Sequence, residues 1–374
     1  MILRLSPARL SGTVVVPDSK SAWHRALICR FLAGQPLPEA LPGGDVGRTL
    51  AGLKALDRGA STIDCGESGS TLRFLLPLSM ALGRAGTVFT GSARLLARPL
   101  SAPYPVERTT AGYRAAGPLL PGRYALRGDE TSQTVSGLLM ALPLLSAPSE
   151  LALTTPLVSR PYVDMTLDAL RRHNVTAYPT AEGWRVPAPQ RFRPHEEAVE
   201  GDWSAGGWWL AVNALQGGGI TVEGLSPVSR QSDRAIAGYL SHLPDTVDVS
   251  QSPDLLPTLA LLAAMTPRTT RFTGGAFLRR KESDRLHTTA AVLRALGAAA
   301  RELPDGLAVE GGAPLRGGVR LEAFGDHRIA MLCACAALFC TEPILLRGGE
   351  CVAKSYENFW RDYALLGGKA EELH

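Results

Sequence analysis

Helix-forming stretches, many closing on leucine followed by glycine, alternate along this chain with short β-type runs. This alternation restricts the fold more than any other feature. Apolar spacing and capping signals predict helices over 21–33, 48–57, 70–82, 132–145, 163–173, 204–215, 232–242, 255–264, 284–296, 327–339 and 355–366. β-type runs stand between them at 12–16, 87–90, 152–154, 219–222, 269–272 and 344–346. A strand–helix–strand–helix unit repeated in this way belongs to the α/β (α+β) class. The repeats share little identity, which argues for repeated architecture and not a solenoid. At 374 residues the chain exceeds what one core uses, so two domains are expected. The 27 prolines are dispersed, with clusters at 36–42, 99–121 and 187–194, and no stretch reads as a long disordered linker.

Charge narrows the partners. With 39 Lys+Arg against 35 Asp+Glu the net charge is +4, too mild to predict nucleic-acid binding, and no basic run is interleaved with aromatics. The opening Met1–Pro7 lacks the apolar core of a secretory signal, and the longest apolar stretches, near 137–145 and 329–340, fall short of a membrane span. A cytoplasmic, monomeric protein bound to neither membrane nor nucleic acid is the expectation. The six cysteines, Cys29, Cys65, Cys333, Cys335, Cys340 and Cys351, form no CxxC pair and no metal-ligand spacing, so no metal site is expected. Cys333 and Cys340 read as buried thiols in an apolar helix. Trp203, Trp208 and Trp209 read as core or interdomain packing.

Several short basic motifs each open an expected helix: Pro17-Asp18-Ser19-Lys20-Ser21-Ala22-Trp23-His24-Arg25, Lys281-Glu282-Ser283-Asp284-Arg285, Gly325-Asp326-His327-Arg328 and Cys351-Val352-Ala353-Lys354-Ser355. Ser21 and Arg25 are four apart, as are Lys281 and Arg285, which on a helix places each pair on one face. Amides and the dipole at a helix start add to these cations, and the combination suits a small polyanion. Gly66-Glu67-Ser68-Gly69-Ser70-Thr71 is a glycine-containing loop entering a helix, where Gly69 allows close approach of a ligand; it also reads as a tight turn with a serine cap. Thr131-Ser132-Gln133 opens a helix, and Ser159-Arg160-Pro161-Tyr162 gathers a hydroxyl, a cation and a phenol in one turn. Each motif also has a plain reading as a cap, a polar loop or a solvated face. Asp326-His327-Arg328 differs, because ionisable groups opening a buried helix require partners. Asp254 reads equally as an N-cap.

Taken in order, these motifs, with Arg98-Pro99 and Ala353-Lys354, resemble the 3-phosphoshikimate 1-carboxyvinyltransferase (EPSP synthase) family of enolpyruvyl transferases, from about residue 11 to about 366. The sister family acting on UDP-N-acetylglucosamine is less similar, since its lysine-asparagine start and reactive-cysteine loop are not evident. The resemblance implies a two-domain inside-out α/β barrel, each domain built from βαβαββ repeats. One domain would span 19–200, the other 1–18 and 201–374, with the active site in the cleft. It implies transfer of the enolpyruvyl group of phosphoenolpyruvate to the 5-hydroxyl of shikimate 3-phosphate, without metal or organic cofactor.

By the same resemblance Lys20, Ser21, Arg25, Thr131, Ser132, Gln133, Ser159, Tyr162, Asp254 and Lys281 would hold shikimate 3-phosphate. Lys20, Gly69, Arg98, Gln133, Arg285, Arg328 and Lys354 would hold phosphoenolpyruvate. Asp254, Glu282 and Lys20 would be catalytic. The chain departs from the family pattern at His24 and Glu67, where asparagine is usual, and at Asp18, where glycine is usual. His24 and Glu67 are expected to pair, the imidazolium offsetting the carboxylate. Segments 100–128 and 240–254 are short, which implies one trimmed repeat in each domain. Alternative readings are an enolpyruvyl transferase with another acceptor, and a catalytically impaired relative that binds anionic metabolites; retention of the carboxylates argues against the latter.

Overall fold

The structure is a computed structural model describing residues 1–41, 44–98, 100–196 and 198–373; Pro99 of the Arg98-Pro99 step and Pro42 of the first proline cluster lie outside the described residues. The chain folds into two compact units, Met1–Asp18 with Glu200–His374, and Ser19–Val199.

The first eighteen residues supply β1 (Ile2–Ser6) and β2 (Gly12–Val15) to the first unit. The second unit then runs α1 (Lys20–Leu32), α2 (Gly44–Asp57), β3 (Thr62–Asp64), α3 (Gly69–Ala81), β4 (Val88–Thr90), α4 (Ala93–Ala97), β5 (Val106–Arg108), β6 (Tyr113–Ala115), β7 (Arg123–Leu126), α5 (Ser132–Ala141), β8 (Ser149–Leu153), α6 (Arg160–Arg172), β9 (Tyr178–Pro179) and β10 (Gly183–Val186). Two four-stranded sheets result, β3-β4-β6-β5 and β7-β8-β10-β9. In both, the first pair is parallel across a helical crossover and the later strands are antiparallel, which is the βαβαββ repeat.

The chain returns through α7 (Trp203–Leu215), β11 (Ile220–Glu223), α8 (Ile236–Ser241), β12 (Thr246–Asp248), α9 (Leu256–Met265), β13 (Thr269–Thr273), α10 (Arg285–Ala295), β14 (Ala299–Leu303), β15 (Gly306–Glu310), β16 (Arg320–Glu322), α11 (His327–Ala337), β17 (Ile344–Arg347), α12 (Phe359–Leu365) and β18 (Lys369–Leu373). Sheet β12-β13-β15-β14 repeats the same order. Sheet β16-β17-β1-β18 does so too, with the N-terminal β1 lying between β17 and β18, antiparallel to both. β2 pairs with β11, in parallel.

Every residue of α11 is buried, as are Leu256–Ala264 of α9 and Thr71–Met80 of α3. A helix apolar all round needs cover on every side. In the first unit α7, α9 and α11 touch one another and form the core, with the sheets outside. Trp208 and Trp209 are fully buried there and Trp203 nearly so; Trp209 stacks on Phe359 with ring centroids 5.2 Å apart. Cys333 and Cys340 are buried thiols, as expected.

Among the described residues four repeats are complete and two are incomplete. In the first unit, β2, α7, β11 and α8 lack the antiparallel pair, in keeping with the short 240–254 segment. In the second unit the trimming differs from the expectation. Segment 100–128 keeps its strand pair β5/β6 and loses length only in the crossover, where α4 has five residues against thirteen in α6. The repeat without a sheet among the described residues is instead the one holding α1 and α2, because only Arg58–Ser61 separate α2 from β3.

Other expectations also shift. Residues 349–354 form a 3-10 turn and α12 starts at Phe359, not at 355. Lys281 ends a 3-10 segment and Arg285 begins α10, so their spacing is not a helical i,i+4 pair. Most strands fall outside the expected β-type runs, among them β3, β5 and β16 at three residues each.

Candidate active site

In the second unit, helix starts carry the predicted residues. Ser19 caps α1 by accepting from the Ala22 amide, which sets Lys20 and Ser21 in the first turn. Lys20 Nζ lies 3.0 Å from Asp45 Oδ2, an ion pair with the buried acid in the first turn of α2. Arg25 is buried and distributes its donors among protein acceptors. Nε donates to Thr166 Oγ1 (2.8 Å), Nη1 to the Ser21 carbonyl (2.5 Å) and Nη2 to the Tyr162 carbonyl (2.6 Å). Burial lowers the Arg25 pKa to about 10, with Tyr162 and Cys29 opposing. The Ser21/Arg25 spacing therefore does bring the two together, but through the serine main chain. Ser159 stands at φ 55° before α6 and its carbonyl accepts from the Tyr162 amide. Thr131 caps α5 by accepting from the Gln133 amide, leaving Ser132 nearly buried in the first turn.

Gly69 opens α3 after the Ser68 cap. A Cβ on Gly69 would stand 2.9 Å from Arg73 Nη1, 3.3 Å from Gln133 Oε1 and 3.5 Å from Arg98 Nη1. Two guanidinium groups and an amide therefore converge on an α-carbon that carries no side chain. Gln133 joins Arg73 to Ser70, accepting from Arg73 Nη1 (3.3 Å) and donating to Ser70 Oγ (3.0 Å). Such a convergence suits an anion with several oxygens.

The expected His24–Glu67 ion pair does not form. His24 is 1 % exposed and its Nδ1 lies 2.8 Å from Thr49 Oγ1. Burial is the main cause lowering its pKa to about 3, with Lys20 and Arg25 adding to the shift and Asp45 opposing it. A neutral imidazole in a buried hydroxyl chain, His24–Thr49–Thr71–Ser68, offers no positive charge to Glu67.

In the first unit the predicted residues cluster. Arg285 is 1 % exposed and binds three carboxylates. Nη1 donates to Asp254 Oδ1 (2.8 Å), Nη2 to Glu282 Oε2 (2.7 Å) and Nε to Asp326 Oδ2 (3.0 Å). Asp254, in the 3-10 turn Pro253–Leu255, also accepts from Arg328 Nη2 at 2.9 Å, so it is not a plain N-cap. Lys354 Nζ lies 3.4 Å from Glu282 Oε1. Burial raises the Asp254 pKa, but Arg328, Lys281 and Arg285 together pull it well below the usual carboxylate range. Burial depresses the Lys281 ammonium. Asp254 is thus a carboxylate held ionised by cations.

Sequence reasoning missed the supports. Asp326 is wholly buried, caps α11 by accepting from the Arg328 amide, and takes a hydrogen bond from Ser283 Oγ at 3.0 Å. Its signal was present, since charges opening a buried helix require partners and Arg285 is such a partner. Asp45 and Arg73 had only weak local signals, an acid in a first helical turn and a lone arginine in an apolar helix.

Asp233 had none. It is 1 % exposed, accepts from Ser204 and Ser232 hydroxyls, and faces Asp254 and Arg328 electrostatically. Burial, then Asp254, raises its pKa from 3.8 to about 6 against the pull of Arg328 and the two serines. A carboxyl raised on folding favours the fold while protonated, and this benefit is lost as pH climbs through the folded value. Asp233→Asn, permanently neutral, is therefore expected to match the parent near pH 4 and to exceed its stability above pH 6 by on the order of 3 kcal/mol. Thermal melts across that range check this; an offset independent of pH would contradict it.

Among the described residues no helix is long and apolar enough to cross a membrane, and no cluster of His, Cys, Asp and Glu has metal-site form. A family model described as EPSP synthase (3-phosphoshikimate 1-carboxyvinyltransferase) matches residues 52–363. The chain is 37 % identical to a 3-phosphoshikimate 1-carboxyvinyltransferase of Clostridium kluyveri, covering 98 % of each, over 419 aligned positions against 374 residues here. The longer alignment accords with the two incomplete repeats. An EPSP synthase structure from Acinetobacter baumannii superposes with TM-score 0.76 at 21 % identity, covering 99 % of this chain and 100 % of that one. The enolpyruvyl transferase NikO from Streptomyces tendae superposes at 0.69 and 18 %, covering 99 % and 98 %. On the strength of the family match and the near-full-length identity, the chain belongs to the EPSP synthase family, the 3-phosphoshikimate 1-carboxyvinyltransferases.

Proposed function

We propose that this chain transfers the enolpyruvyl group of phosphoenolpyruvate to the 5-hydroxyl of shikimate 3-phosphate, giving 5-enolpyruvylshikimate 3-phosphate and phosphate. The observation that carries the reading is the web in which Arg285, Arg328 and Lys354 hold Asp254 and Glu282 in defined positions. A site for anions alone has no use for carboxylates among its cations. A site that must both bind polyanions and move protons requires both.

The 5-oxygen bonds to C2 of phosphoenolpyruvate as its proton leaves, and C3 gains a proton. The tetrahedral intermediate then loses a C3 proton while the C2–O bond to phosphate breaks. Asp254, held ionised by its neighbours, suits the removal of the hydroxyl proton. Glu282 and Lys20 are assigned to the protons at C3. Phosphoenolpyruvate is held by Lys20, Gly69, Arg98, Gln133, Arg285, Arg328 and Lys354. Shikimate 3-phosphate is held by Lys20, Ser21, Arg25, Thr131, Ser132, Gln133, Ser159, Tyr162, Asp254 and Lys281. Incoming anions compete with Asp254 for Arg328, and loosening that pair raises the basicity of the carboxylate where a proton must be accepted. On the same reading the enzyme is a cytoplasmic monomer, and sedimentation of the purified chain tests the oligomeric state.

The decisive measurement is phosphate release from phosphoenolpyruvate, with and without shikimate 3-phosphate. Release only in the presence of that acceptor is expected. No release with it, or equal release without it, rejects the assignment.

A further inference from the structure

A row of buried polar side chains ties three helices of the second unit together near their starts. His24 stands one turn after Lys20 on α1, on the same face. Its Nδ1 lies 2.8 Å from Thr49 Oγ1 on α2, and Thr49 Oγ1 lies 2.7 Å from Thr71 Oγ1 on α3. Thr71 Oγ1 in turn donates to Ser68 Oγ (2.8 Å), the cap of α3 that immediately precedes Gly69. All four side chains are buried. A second link runs beside the first. Lys20 Nζ pairs with Asp45 Oδ2 (3.0 Å), and the Asp45 carbonyl stands 3.4 Å from Thr71 Oγ1. Both links leave α1 and meet at Thr71. With the single Thr71 proton directed at Ser68, Thr49 donates to Thr71 and His24 Nδ1–H donates to Thr49. Only the δ position of the imidazole is used, since Nε2 has no hydrogen-bond partner among the described residues.

We propose that His24 is a positioning residue: through Thr49 and Thr71 it fixes the Lys20 end of α1 against the Gly69 end of α3, so that both meet one phosphate-bearing substrate in a single geometry. The identity of that substrate, phosphoenolpyruvate, rests on the function proposed above; the linkage of the helix starts rests on the contacts alone. Apolar side chains in these places would join the helices without burying polar groups. A hydrogen-bonded row adds what they do not, one fixed register between the helices. Register matters at such a site, because a displacement of about 1 Å can cost on the order of 10²-fold in rate. Arg25 ties α1 to α6 independently, through Thr166 Oγ1 and the Tyr162 carbonyl, so interrupting the row leaves that side in place.

Thr49→Val interrupts the row with His24 intact, and His24→Leu removes its origin. Asparagine carries its polar atoms at the δ position, so His24→Asn keeps the link to Thr49. KM for each substrate and calorimetric titration with inorganic phosphate are measured in the full chain, below the melting temperature of each variant. Thr49→Val and His24→Leu are expected to raise the KM for phosphoenolpyruvate and to weaken phosphate binding, each about tenfold. The KM for shikimate 3-phosphate should move by less than about threefold, and His24→Asn should restore both affected values to within about threefold of the parent. Thr49→Val and His24→Leu chains that melt earlier yet keep phosphate affinity and the phosphoenolpyruvate KM within about twofold overturn the proposal and leave the row a packing feature. A His24→Asn chain as impaired as His24→Leu overturns it too, because the δ atom is then not the link. Should no transfer occur in the parent, the function reading fails, and the phosphate titration still decides this one.

Discussion

Asp254→Asn is expected to lower kcat by roughly 10²–10⁴ while leaving the KM for phosphoenolpyruvate unchanged or lower. The two effects diverge because the aspartate competes with the substrate. Its Oδ2 holds Arg328 at 2.9 Å and its Oδ1 holds Arg285 at 2.8 Å. The neutral amide keeps the shape but weakens its hold on both guanidinium groups, so an anion meets a more positive pocket. The amide cannot take the hydroxyl proton. Steady-state kinetics with both substrates varied check this. A near-parental kcat would remove Asp254 from the proton-transfer role, and a large rise in KM would make it a binding residue only.

Arg285→Met is expected to abolish turnover and to destabilise the first unit by about 3–5 kcal/mol, the usual cost of breaking a buried ion cluster from one side. The arginine is the common counterion of Asp254, Glu282 and Asp326, and Asp326 is fully buried. Without it the three carboxylates lose their common counterion and repel one another. A buried carboxylate without its counterion penalises the fold only when ionised, so the deficit should shrink as pH falls through the carboxylate range. Melts of parent and variant between pH 4 and 8 give the sign. A deficit constant with pH would assign it to lost packing. Arg285→Lys should recover part of the stability and little of the activity, since one ammonium cannot span three carboxylates.

The helices were largely legible in the sequence because their starts carry chemistry that reads locally. Ser19, Ser68, Thr131, Asp202, Asp284 and Asp326 each cap the helix that follows by accepting a main-chain N–H. Many strands were not, since Thr62–Asp64, Val106–Arg108 and Arg320–Glu322 are too short to show alternation. They exist because a neighbouring strand supplies their hydrogen bonds.

The cations of the first unit were legible as a motif, although a shared helix face is not what joins Lys281 to Arg285. A 3-10 end and a turn bring them together. The His24 charge was misjudged because burial, which sequence does not show, decides whether an imidazole ionises. Asp45 owes its role to an ion pair with Lys20, 25 positions away, and Asp233 to the charge of Asp254, 21 positions away; the local sequence marks the first weakly and the second not at all.

Threading β1 between β17 and β18 has a consequence for biogenesis. Ile2–Ser6 is synthesised long before its partners Ile344–Arg347 and Lys369–Leu373. Until both have left the ribosome the nascent chain carries an unpaired strand, a natural client for chaperones that shield exposed backbone, and this sheet closes only after the segment to Leu373 has emerged.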